Sequence, residues 1–244
     1  MRRIGNERQQ GGIFVSNKNN QSKPNAKSSK GNPGRGGNLR RVVFLVEFAV
    51  LLAIEAIVCF TPLGSVPMPA GMVATLSTVP VVVAALVLGT GAGAAMGLFF
   101  GLFSFLVWTF MPPNPLFAFV FTPAYNGGNF WSLAICFVPR ILAGVVAAAS
   151  FRGLSALLGR HKNLELVGYA LSGILGSLTN TVLVVGGIFV FFGPSYAKAL
   201  GKAYDLLLGI LGLTVVTNGL IEAALAAVAA VAVCYPLRKY VKKY

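Results

Sequence analysis

Charge is what this sequence has least of. Charged residues make up 11% of its 244 positions, and only six of them are acidic. A soluble globular domain carries roughly 25%, so an ordinary water-soluble domain is excluded. Histidine occurs once, at His161 between Arg160 and Lys162. We expect it in a solvated loop, where it does no acid–base work. The three cysteines, Cys59, Cys136 and Cys234, stand singly in or beside apolar runs with no C-x-x-C pair. That argues against a disulfide framework or a zinc site and for three small packing residues. There is no D-D-x-x-D, H-E-x-x-H, G-x-S-x-G or Walker motif, so nothing marks an enzyme and ATP is not hydrolysed by this chain. The glycines at 89, 91 and 93 match neither a dinucleotide nor a P-loop register.

Apolar residues fill the remainder, at 56% of the chain. Runs approaching 20 residues recur, the length that crosses a ~30 Å hydrocarbon core. We read six spans, at about 42–60, 72–88, 92–110, 129–150, 166–192 and 206–237. This predicts an all-α integral membrane bundle as one domain over 39–244. Residues 1–38 are polar, Gly-rich and basic, too poor in apolar surface to offset ordering entropy. They are expected to be a disordered tail brushing anionic lipid headgroups rather than a nucleic-acid-binding arm.

The net charge of +14 is concentrated, with ten of the twenty Lys/Arg in 1–41 and four in 238–243. Under the positive-inside rule both termini are cytoplasmic, and Arg152, Arg160 and Lys162 lie on the same side. The connection at 111–128, without Lys or Arg, then faces outside as a lid between the third and fourth spans. The connection at 193–205 reads as an outer loop with room for a short amphipathic turn around Lys198 and Lys202. A proline-rich link at 61–70 precedes the second span, in whose first half Pro80 is read as a kink tolerated among hydroxyls.

The stretch 114–140 (NPLFAFVFTPAYNGGNFWSLAICFVPR) is the most informative. A turn-rich aromatic lid resumes as an apolar run that carries a full positive charge, Arg140. Charges in the membrane interior are costly, roughly 2.5–3.5 kcal/mol on insertion scales. Several such groups recur: Glu47 and Glu55 on the first span, Arg140, Asn180, and Asn218 with Glu222. At ~1.5 Å rise per residue, Arg140 lies ~15 Å below the outer end of its span, and Asn180 and Asn218 each ~18 Å. Glu222 lies deeper, at ~24 Å. Thr214, Asn218 and Glu222 recur every fourth residue and so share a face.

Two readings of Arg140 stay open. Either Glu55, Glu222 or Glu47 neutralises it and the pair locks helices, or it faces a cavity and meets an anionic ligand group. The candidate ligand-binding set is Asn126, Asn129, Trp131, Arg140, Asn180 and Asn218. On the first span, Ala49 and Ala53 lie ~40° apart and form a smooth patch away from the acidic side. Gly93, Gly97 and Gly101 form a doubled G-x-x-x-G ridge for close helix approach.

Five runs in order carry a resemblance: TPLG at 61–64, ATLSTVPV at 74–81, GLFFGLFS at 97–104, GNFWS at 128–132 and FVPRILAG at 137–144. Together, over about 40–237, the chain resembles a substrate-binding S component of an energy-coupling factor transporter. The resemblance implies capture of a water-soluble vitamin from outside a bacterial plasma membrane. It implies docking through Ala49 and Ala53 on a transmembrane scaffold subunit that carries two ATPases. It places ATP on those partners and no cofactor in this chain. Within the family the pantothenate type is the nearest likeness, with riboflavin, folate and a queuosine-type base open. The competing readings are a stand-alone facilitator and an intramembrane enzyme acting on lipid-linked substrates.

Overall fold

Helices account for the structure almost entirely, because an apolar chain in a membrane must satisfy its backbone within each segment. The computed structural model describes residues 33–61, 65–67, 73–158 and 162–237. Of the expected basic tail, residues 1–32 lie outside the described residues, as do His161 and the basic residues 238–244. Residues 33–38 do not continue a disordered tail: they are the first turns of helix α1, Pro33–Phe60. Proline is tolerated at a helix start, where its missing N–H would have no partner anyway. α1 ends where the next residue precedes a proline, a position biased away from helix. Thr61 closes the end, its backbone N–H (3.1 Å) and its hydroxyl (2.7 Å) both donating to Ile57 O.

The second expected span, 72–88, does not form as one helix. Val73–Thr75 is a short strand β2, paired antiparallel with β1, Ser65–Pro67. Helix α2 begins only at Thr78 and runs to Val87. Its ten residues span ~15 Å at the helical rise, about half of a ~30 Å core. Pro80 falls in its first turn, where no helix hydrogen bond is lost, so it makes no kink. Five helices are long and apolar enough to cross a membrane, over Asn38–Phe60, Thr90–Phe110, Phe130–Leu157, Leu164–Ala199 and Tyr204–Leu237.

α3, Thr90–Phe110, is followed by the lid. Within the lid Pro115–Val120 forms a 3₁₀ turn whose start is capped by Asn114 Oδ1, accepting from Leu116 N. α4 is Phe130–Leu158 and α5 is Lys162–Ala199. The expected outer loop at 193–205 is therefore mostly helix. α5 continues through Pro194 to Ala199, its 38 residues reaching ~57 Å, and only a few residues link it to α6. α6, Tyr204–Ala229, ends in a π-helical turn at Ala230–Cys234.

Glycines set the helix contacts. A Cβ at Gly97 would collide with the Arg140 carbonyl oxygen, and one at Gly144 with the Gly93 carbonyl oxygen. Gly101 meets Cys136 and Phe137 in the same way. The order 93–144, 97–140, 101–137 runs antiparallel, so the predicted ridge on α3 is the seam with α4. Gly176 lies against Ala143 and Ala147, and Gly187 against Ile135, bringing α5 antiparallel to α4. Gly173 approaches the Ala226 backbone, which seats α6 beside α5.

Three apolar clusters result. One, near the lid, joins Phe117, Phe119 and Val120 to Ile135, Ile188, Phe192 and Leu207. A second, toward the other end, joins Val82, Ala85, Ala147, Tyr169 and Ala230. The third packs Phe48, Leu51, Leu52 and Cys59 of α1 onto Val81, Ala84, Met96 and Phe100. The polar groups of the bundle collect between them.

Candidate functional site

The site grows out of one dipeptide. Pro139 sits inside α4 and has no N–H to give to the carbonyl four residues earlier. That carbonyl belongs to Ile135, and the guanidinium of Arg140 takes its place as donor: Nη1 donates to Ile135 O at 2.6 Å. Nη2 donates to Ser104 Oγ on α3 at 3.3 Å. The rings of Phe100 and Phe121 flank the cation, 5.3 and 5.4 Å from Cζ to their centroids, where the ring quadrupole attracts it. Arg140 is thus held by neutral groups at 6% exposure, and its Nε makes no hydrogen bond among the described residues.

Arg140 lines a cavity of about 110 Å³. α5 contributes Asn180, Thr181, Val184 and Ile188, and α6 contributes Thr214, Asn218 and Glu222. Arg140, Asn180 and Asn218 line one space. Asn180 Oδ1 is buried without a hydrogen bond among the described residues. Glu222, expected deeper, lines the same cavity, and Thr181 Oγ1 donates to its Oε2 at 2.8 Å. The expected stripe of Thr214, Asn218 and Glu222 is the buried face of α6.

The lid closes one side with aromatics. Phe121 stacks on Trp108 (4.6 Å), Phe117 packs on Tyr196 (4.8 Å) and Phe119 on Phe192 (5.7 Å). Phe117, Phe121, Trp108 and Tyr196 all line the cavity. Two hydroxyls tie the lid down: Ser132 Oγ donates to Phe119 O (2.7 Å) and Thr109 Oγ1 to Thr122 Oγ1 (2.9 Å).

Three expected ligand residues do not reach this space. Asn126 is exposed in the turn after the lid helix. Asn129 caps α4, its Oδ1 accepting from Trp131 N at 2.9 Å. Trp131 is 47% exposed and stacks on Phe191 at 4.1 Å and 9°, an interfacial arrangement. The physical reason is direction: an N-cap residue turns its side chain back onto its own helix, and on the first turn of α4 Phe130 and Trp131 face outward while Ser132 faces in.

Sequence reasoning missed Ser104, Phe100, Cys59 and Ser77 as lining residues. A signal existed for α3, since Phe100, Ser104 and Trp108 recur every fourth residue on one face. On α1, the acidic side does turn inward: Glu55 is fully buried and Glu47 partly so, while Ala49 and Ala53 are exposed. Glu55 Oε1 accepts from the thiol of Cys59 at 3.3 Å, which places Glu55 behind the cavity wall rather than beside Arg140.

Comparison with known proteins gives the family. Residues 43–234 match the family described as "ECF transporter, substrate-specific component". Over 195 residues the chain is 32% identical to the pantothenic acid transporter PanT of Lactococcus lactis subsp. cremoris (strain MG1363). That alignment covers 78% of this chain and 91% of the relative.

Proposed function

This chain belongs to the substrate-specific components of energy-coupling factor transporters, and from that premise we propose that it captures pantothenate for an ATP-driven importer. It is a membrane transport component and not an enzyme. The observation that carries the ligand reading is Arg140, a buried cation whose Nε makes no hydrogen bond among the described residues, on a cavity it shares with Asn180 and Asn218. A guanidinium offers a carboxylate charge-assisted hydrogen bonds. Asn180 and Asn218 offer both donors and acceptors, which suits the amide and hydroxyls of pantothenate. The name of the 32% identical relative supports the same choice.

In this proposal the lid faces outside and both termini are cytoplasmic. The β-hairpin and α2 together complete a sixth crossing. α1 presents Ala49 and Ala53 to the transmembrane scaffold of the transporter, whose two ATPases bind the ATP. The protein resides in the cell membrane. The charge bias that favours this orientation is in the sequence, and the exposure of both alanines supports the docking face.

Two measurements test the ligand. Mass spectrometry of the small molecule that copurifies with the protein should find pantothenate, chemically unchanged. Calorimetry of Arg140→Met should show affinity down by on the order of ten- to hundredfold, the loss of a charged hydrogen bond. Undiminished binding would make Arg140 a purely structural group.

A further inference from the structure

Two opposite charges line the cavity, Arg140 from α4 and Glu222 from α6. Both are largely buried, at 6% and 7% exposure. The guanidinium keeps its proton in any protein setting. With Glu222 ionised, the lining of the empty cavity is therefore neutral. A carboxylate ligand would bring a net negative charge into a space walled by Phe100, Phe121, Val184 and Ile188. Buried charge without a counter-charge is relieved by protonation.

Among the described residues Arg140 is the one cation that lines the cavity, and of the elements packed on α6, α2 has no titratable residue and the π-helical turn has only Cys234. From α1 come Glu55 and the thiol of Cys59, and Glu55 adds no positive charge: one oxygen accepts from that thiol and the other makes no hydrogen bond among the described residues. From α5 comes the Tyr196 phenol, at the lid side of the cavity. From α4 comes Arg140, already counted. α3 and the lid line the cavity with Phe100, Ser104, Val107, Trp108, Pro113 and Phe117, none of which titrates. The sequence from 61 to 77, which holds the hairpin and Ser77, has no charged residue.

Resting on the reading that an anionic vitamin sits at Arg140, we propose that the anion enters the cavity together with one proton, held on the carboxyl of Glu222. The proton comes from solvent and no bond of the ligand changes. Thr181 continues to donate to Oε2. The protonated carboxyl becomes a donor facing the ligand, opposite in character to the acceptor it was. The bound state is then neutral overall, cation to anion at Arg140 and neutral acid at Glu222. Uptake is thereby tied to pH at the binding step itself, in a chain whose energy supply is ATP on its partners.

The test is calorimetry of the full chain in detergent with pantothenate as probe. Titrations run in two buffers of different ionisation heat, from about pH 5.5 to about pH 8.5, count the protons taken up. We expect uptake approaching one proton per ligand, with affinity weakening about tenfold per pH unit over the range in which that proton is taken up. Glu222→Gln, neutral and of the same shape, should bind with no proton uptake and with affinity flat in pH. Glu55→Gln should leave the uptake unchanged. If Glu222→Gln does not fold, the two-buffer count on the unmodified protein still decides. Pantothenate binding without proton uptake across the range overturns the proton coupling and leaves the vitamin reading standing. Affinity that follows sodium concentration rather than pH overturns it as well, the counter-charge then being a metal cation. If pantothenate does not bind at all, the vitamin reading fails and this proposal fails with it.

Discussion

Single residues divide here by the direction in which their backbone aims them. Asn180 is 6% exposed on the cavity and its Oδ1 lacks a hydrogen bond among the described residues. Asn180→Leu should weaken pantothenate binding by about two- to tenfold, the worth of one buried hydrogen bond of roughly 0.5–1.5 kcal/mol, as read by calorimetry. Trp131→Ala should leave that affinity within experimental error, since the ring lies outside on Phe191. Equal losses in the two variants would contradict the boundary drawn around the cavity. Arg140, Asn180 and Asn218 stood out in the sequence as costly polar groups inside apolar spans, and all three line the cavity. Asn126, Asn129 and Trp131 sit in turns and in a helix cap, where local hydrogen bonds fix orientation and composition carries no directional information. Cys59 and Ser77 enter the cavity through the packing of α1 and the start of α2, a long-range event that no local pattern announces.

Elements tell a similar story. The five long helices follow from apolar run length, and the glycine ridge of α3 from its four-residue repeat. The second run could not be resolved by the same means. A short apolar stretch reads alike as strand or buried helix, and 73–87 contains one of each. The end of α5 was hidden by Gly193 and Pro194, which read as a terminus yet lie within the helix. The seam of α3 and α4 gives a prediction that belongs to this scale. Gly97→Ala pushes a methyl group into the Arg140 carbonyl, an overpacking that costs about 1–3 kcal/mol. The melting temperature should fall, and pantothenate affinity should fall with it, because the displaced backbone carries the guanidinium. A variant with unchanged melting and unchanged affinity would mean that the two helices are not this close.

For the whole molecule, the unusual member is α1. Only 6% of its most apolar window is buried, against 39% in α3 and 50% in α4, so it is attached along one side and bare along the other. Close helix–helix contact in a membrane depends on small residues that let backbones approach, and the bare side carries Ala49 and Ala53. Ala49→Trp and Ala53→Trp should abolish copurification with a coexpressed scaffold and ATPase pair. Pantothenate binding by the isolated chain should remain intact, because neither alanine lines the cavity. Complex formation that survives both substitutions would move the docking face elsewhere. Lipid-facing surface and docking surface look the same by hydropathy alone; side-chain size is what separates them.

The Pro139–Arg140 pair has a consequence for how such a site can change over generations. The anchor for the cation meets no competing donor because its neighbour lacks an N–H. Replacing the proline first would restore a donor to Ile135 O, mend the helix and leave the guanidinium competing for its own support. That step would raise the robustness of the fold while eroding what it was kept for. Replacing the arginine first would strand a carbonyl inside the membrane. Either single step changes the hydrogen bonding of Ile135 O, so the two positions are coupled through that one carbonyl.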